Sequence, residues 1–144
     1  MILLAISLVA TLAAGADIVP LVVQGPDPPV RIDRARVMNA GGSEPAVLLY
    51  AATNLTESEL EQFTVIAYIF DAEGVLKTRQ VAPGRRTLEK GATKYSAMVL
   101  DGRPVTATDR IVIGVNQAQR TESDKWWSAE LEQSALAAIK KPKQ

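Results

Sequence analysis

From Val30 to Asn116 the chain sets short apolar, β-branched runs between turn signals, and no connection among them is long enough to hold a crossover helix. A parallel βαβ arrangement is thereby excluded, which leaves antiparallel sheets. Thr64 to Asp71 (TVIAYIFD) is the strongest run, β-branched and aromatic almost throughout. Ala46 to Thr53 (AVLLYAAT) is apolar on both faces, the pattern of a central strand. Val30 to Met38 begins by alternating. Its phase then slips from Val30 and Ile32 to Ala35 and Val37, which predicts a bulge or a twist. Asp71-Ala72-Glu73-Gly74 is a turn that returns the chain as Val75 to Val81, where Lys77 and Arg79 suit a solvated edge strand. Arg85 to Leu88, Lys94 to Leu100 and Ile111 to Asn116 complete a set of seven candidate strands. The expected fold is all-β: an immunoglobulin-like antiparallel β-sandwich of about seven strands, with a C-terminal α-helix.

The ends have a different composition. Met1 to Ala16 (MILLAISLVATLAAGA) carries no charged side chain and is shorter than the roughly 20 residues a spanning helix needs. It ends in Ala14-Gly15-Ala16, a small-x-small site, so residues 1–16 read as a signal peptide cut before Asp17. If retained, the same run would tie the chain to a membrane. Residues 17–29 hold four of the eight prolines and read as a Pro-rich spacer or edge strand. Residues 30–120 are the sandwich, and residues 121–144 an amphipathic helix with a basic tail. Ser123 or Asp124 is the expected N-cap, and Trp127, Leu131, Ala135 and Ala138 fall on one helical face. Between two strands, Asn54 to Gln62 has capping-box spacing at Thr56/Glu59 and Ser58/Glu61, which predicts a single helical turn.

Composition narrows the chemistry. The 144 residues include no histidine and no cysteine, which excludes a Ser-His-Asp triad, a thiolate nucleophile, a disulfide and a Cys/His zinc site. Sixteen bases balance sixteen acids, so nothing in the net charge points to nucleic acid. The charge is unevenly spread: Glu57 to Glu73 holds five acids and no base, whereas Lys77 to Arg110 holds eight bases and three acids. Cross-strand complementarity between these stretches is the plain reading, and a polar binding face the alternative. Asp71-x-Glu73-Gly74 lacks the further alternating oxygen ligands and the closing glutamate of a calcium loop, and Pro83-Gly84-Arg85-Arg86-Thr87 lacks the core of a phosphate loop. No cofactor is implied.

Several turn elements resemble the FxLYD family, a set of immunoglobulin-like domains of exported bacterial proteins. They are Thr53-Asn54-Leu55-Thr56 after an apolar strand, Val65 to Phe70 running into Asp71-Ala72-Glu73-Gly74, then Leu88-Glu89-Lys90-Gly91 and the strand at Tyr95-Ser96. The likeness covers about residues 46–115. It implies a sandwich in the bacterial periplasm or outside the cell, and no catalytic residue.

The candidate site residues are those of a contact surface. Trp126 and Trp127 stand adjacent on the expected helix, where they anchor a partner, stack on a sugar or cap the sandwich. Lys77 and Arg79 form a basic edge, and Arg85 and Arg86 offer an anion dock. Asn54-Leu55-Thr56 is a glycosylation sequon whose asparagine also suits the turn. The expectation is a non-enzymatic, exported envelope module that contacts a protein partner or a second copy. Carbohydrate or cell-wall polymer binding is one alternative, and a small carboxylate-dependent hydrolase using the acids of Glu57 to Glu73 is another.

Overall fold

The computed structural model describes residues 17–82 and 87–141. Its strands are β1 (Leu21–Val22), β2 (Val30–Met38), β3 (Ala46–Asn54), β4 (Gln62–Phe70), β5 (Leu76–Val81), β6 (Thr93–Leu100), β7 (Arg110–Thr121) and β8 (Asp124–Trp127), and helix α1 (Leu131–Lys140) ends the order. One sheet is antiparallel in the order β2-β3-β6. The other runs β1-β7-β4-β5, with β8 also paired to β7. The two form an immunoglobulin-like β-sandwich. The strands apolar on both faces, β3 and β4, are central in their sheets, and β5 is an edge. The phase slip in Val30–Met38 is a register shift between Ile32 and Arg34.

Strand alternation builds the core. Leu48, Tyr50, Ala52, Met98 and Leu100 of the three-stranded sheet face Phe63, Val65, Ala67, Ile69, Ile111 and Ile113 of the other. The segment before β2 closes one side. Ile18 bridges to Val37 in the three-stranded sheet, and beyond buried Pro20, Leu21 and Val22 pair in parallel with Val112 and Ile113 in the other. It acts as an edge strand of both sheets in turn.

Two expectations are corrected. No helix begins near Thr121: β7 runs on to that residue, and the chain folds back as β8, so that Trp126 and Trp127 lie on a strand. Aromatic residues suit a strand, and pairing with β7 outweighs the helical propensity of their neighbours. The helix starts only at Leu131, after Glu130 in a left-handed conformation, and buries Leu131, Ala135 and Ile139, with Ala138 half-buried. The turn predicted near Thr56 is a bend instead. There Asn54 Nδ2 donates to the carbonyls of Ser58 (2.8 Å) and Leu88 (3.0 Å), and its Oδ1 accepts from the Thr56 amide and hydroxyl. That buried amide serves the turn, and Leu60 then pairs with Leu88 as an isolated bridge.

Helix α1 lies on the outer face of the larger sheet, where Leu131, Ala135 and Ile139 pack with Ile66, Tyr68, Phe70 and Val112 in a second apolar cluster. Gly114 makes that approach feasible. A Cβ there would sit 2.7 Å from Leu131 Cδ1 and 3.0 Å from the Val23 carbonyl oxygen.

Candidate functional site

The outer face of the three-stranded sheet has no such cover within the described residues. Its geometry is set by register. Met38, Val47 and Val99 form one cross-strand row, Arg36, Leu49 and Ala97 the next, and Arg34, Ala51 and Tyr95 a third. The strands thus hold an apolar strip over β3 and β6 with a row of arginines along β2. Met38 (48 %), Leu49 (38 %), Val99 (47 %) and Tyr95 (74 %) are exposed on it. One scattered exposed apolar side chain is ordinary, whereas four on one sheet face form a patch.

The polar end of this face is ordered by hydrogen bonds. Arg31 Nε donates to Asp33 Oδ1 at 2.6 Å, the Thr53 hydroxyl donates to Asp33 Oδ2, and Thr53 shares a 2.7 Å contact with the Thr93 hydroxyl. The Thr53 hydroxyl first, and then the Arg31 guanidinium, hold the Asp33 carboxyl below the usual carboxylate range. Arg36 is salt-bridged to Asp17. Arg34 is exposed, and among the described residues no carboxylate forms a salt bridge with it.

The residues singled out from the sequence are scattered. Trp126, whose Cα partner is Ala118, packs partly buried against the main core; Trp127, opposite Gln117, is 60 % exposed. Strand alternation sends the two rings to opposite faces, so they do not form one surface. Lys77 is not part of an open basic edge. Its Nζ donates to Asp109 Oδ2 at 2.6 Å and to the Pro104 carbonyl at 2.9 Å, which fastens β5 to the connection before β7. Burial pushes the Asp109 carboxyl up, but the hydrogen bonds from Lys77 and from Thr106 outweigh it and hold that carboxyl below the usual range. Arg79 reaches Glu132 of α1 at 2.6 Å and so helps to seat the helix. Arg85 and Arg86 lie outside the described residues. Between the acidic and basic stretches of the sequence, Lys90–Glu57 is the salt bridge formed among the described residues, so complementarity there is slight.

A groove of about 630 Å³ opens between the start of β2 and the β7–β8 hairpin, lined by Pro28, Pro29, Leu55 and Trp126 together with Asp27, Arg120, Asp124 and Lys125. Its Asp124 is salt-bridged to Arg120 at 2.9 Å. Among the described residues no group of three or more acidic side chains is placed to hold a metal ion, and no helix is long and apolar enough to cross a membrane.

Sequence reasoning missed the bare face. The signal was available in Ala46 to Thr53: a strand apolar on both faces needs cover on both, and the described residues supply one helix for two sheets. No protein-family model, no curated protein and no solved structure matches this chain.

Proposed function

We propose that this chain is an exported cell-envelope module that works by protein–protein contact through the outer face of β2, β3 and β6. The observation that carries this reading is the uncovered patch of Met38, Leu49, Tyr95 and Val99 beside an arginine row. Fully burying an exposed leucine or valine is worth roughly 1.5–3 kcal/mol, and Met38, Leu49 and Val99 are already about half-buried, so each adds about 1 kcal/mol when a partner covers it. Tyrosine and arginine at such a place supply the rigid, partly polar anchors that contact surfaces favour. Export is supported by the leader-like residues 1–16, which lie outside the described residues, and by the FxLYD-like turn pattern.

A photo-crosslinking residue at Tyr95, in the full chain expressed in its own cells, tests the reading. A discrete adduct from position 95, with none from a control at Ser134 on α1, is expected. Equal labelling at both, or none at position 95, overturns it.

A second reading is favoured by Trp127, exposed above a Gln62–Gln117 amide pair at 2.9 Å. An aromatic face beside amides is the chemistry that holds a sugar ring. Titration with soluble peptidoglycan fragments should then shift tryptophan fluorescence in the full chain and not in Trp127→Ala. No shift at millimolar fragment removes it.

A further inference from the structure

Resting on the protein-contact reading, we infer that the bare face of β2, β3 and β6 receives one amphipathic helix of another protein, oriented so that carboxylates on its flank meet Arg34 and Arg36. Size is the first argument. Three strands about 4.8 Å apart and rows spanning five residues define an apolar area of about 300 Å² with its side chains. A stable globular interface covers about 800 Å² per partner, whereas a helix is about 10 Å across and fits this strip.

The molecule supplies its own example of the mode. Across the sandwich, α1 covers the equivalent face with Leu131, Ala135 and Ile139 at i, i+4 and i+8, and its flank carries Glu132 to Arg79 at 2.6 Å. The bare face repeats that pairing of an apolar strip with arginine, without the helix.

Charge decides the flank and excludes a second copy. Arg31 and Arg36 have carboxylates of this chain beside them, but Arg34 has none in salt-bridge contact among the described residues. In a stack of two such faces each arginine row would lie over the other row or over Tyr95, Ala97 and Val99 of β6, and neither supplies a carboxylate. The α1 of a second copy is no substitute either, because its apolar residues are already buried on its own sheet. An added strand at the β6 edge is disfavoured, since the Gln80 amide already donates to the outward Val99 carbonyl.

The test is selection of displayed 18-residue helix-forming peptides on the folded full chain, with removal of those that also bind its Leu49→Glu variant. Circular dichroism confirms that each variant is folded. Selected peptides should show an i, i+3/i+4 apolar seam with Asp or Glu along one flank. Their affinity should fall at least tenfold on R34E/R36E, survive R34K/R36K, and weaken with salt. Three results overturn the inference: peptides indifferent to both arginines, peptides whose amide-exchange footprint lies on the β6 edge, and no peptide that depends on Leu49. The same chain is offered phosphatidylglycerol vesicles; if Leu49-dependent binding is to these and not to peptides, the occupant is a membrane and the inference fails. If Tyr95 crosslinks to a protein while the selected peptides ignore the arginines, the contact reading stands and only the acidic helix is lost.

Discussion

The two outer faces of the sandwich start from similar sequence and end differently. On the larger sheet, Ile66, Tyr68, Phe70 and Val112 are all buried beneath α1; on the smaller, Leu49, Tyr95 and Val99 stay exposed. The difference is not one of strand propensity, because β3 is nearly as apolar as β4. It arises in α1, the ten-residue helix among the described residues, which Gly114 and Arg79 direct to one face. A covered face stabilises the fold. A face of comparable composition left bare by the described residues contributes little stability.

Removing the cover should give the largest effect. A chain ending at Ala129 keeps β8 but exposes Ile66, Phe70 and Val112, and should lose on the order of 5 kcal/mol for several large apolar side chains returned to water. Urea unfolding measures this. A loss under about 1 kcal/mol, the scale of ordinary single substitutions, would mean that α1 is an accessory and that the two faces are energetically alike. Trp126 and Trp127 remain in that chain, so its intrinsic fluorescence still reports the fold.

Asp109→Asn comes next, at about 3 kcal/mol, because it leaves the largely buried Lys77 ammonium without its carboxylate. This pair fastens the edge of the covered sheet. Its pH dependence has a definite sign. The folded Asp109 value is depressed, so its contribution is fully present above the unfolded carboxylate range and disappears as pH falls through the lower folded value. The stability gap between the natural chain and Asp109→Asn should therefore be constant from about pH 8 to pH 5 and close below about pH 4. A gap that persists well below the folded value would show that the amide acts by packing alone.

Gly114→Ala ranks third at about 2 kcal/mol, since the added methyl meets both Leu131 and the Val23 carbonyl and one of them must move. Amide exchange should quicken in α1 more than in β3. Uniform quickening would place the strain in the sheet itself.

Much of this organisation was legible in order of locality. Val30–Met38 was visible with its bulge because a phase slip is written in consecutive residues, and the Asp71–Gly74 turn because Gly74 at φ 83 needs the left-handed region. Trp126 and Trp127 read as helical because their partner is β7, and a helical period from Leu131 extends backward onto Trp127 by chance. Lys77 and Arg79 looked solvated because their carboxylates stand 32 and 53 residues away. The bare face is assembled from three strands, so the two-faced apolar pattern of Ala46 to Thr53 hints at it without displaying its rows. The count of faces against helices points there.

The smallest expected effect on stability is the most informative. Tyr95→Ser with Val99→Thr on the bare face should change unfolding free energy by no more than about 0.5 kcal/mol, as for ordinary surface substitutions. Ile66→Ser under the helix should cost about 3 kcal/mol by the loss of a buried apolar side chain and the burial of a hydroxyl. A chain selected for stability alone gains nothing from aromatic and aliphatic groups left in water, and takes on a risk of association. With the crosslinking residue moved to position 49, the double variant should keep its stability and lose the adduct, which would mark the patch as retained for contact. If it loses stability as Ile66→Ser does, Tyr95 and Val99 brace the sheet, and the contrast between the two faces fails.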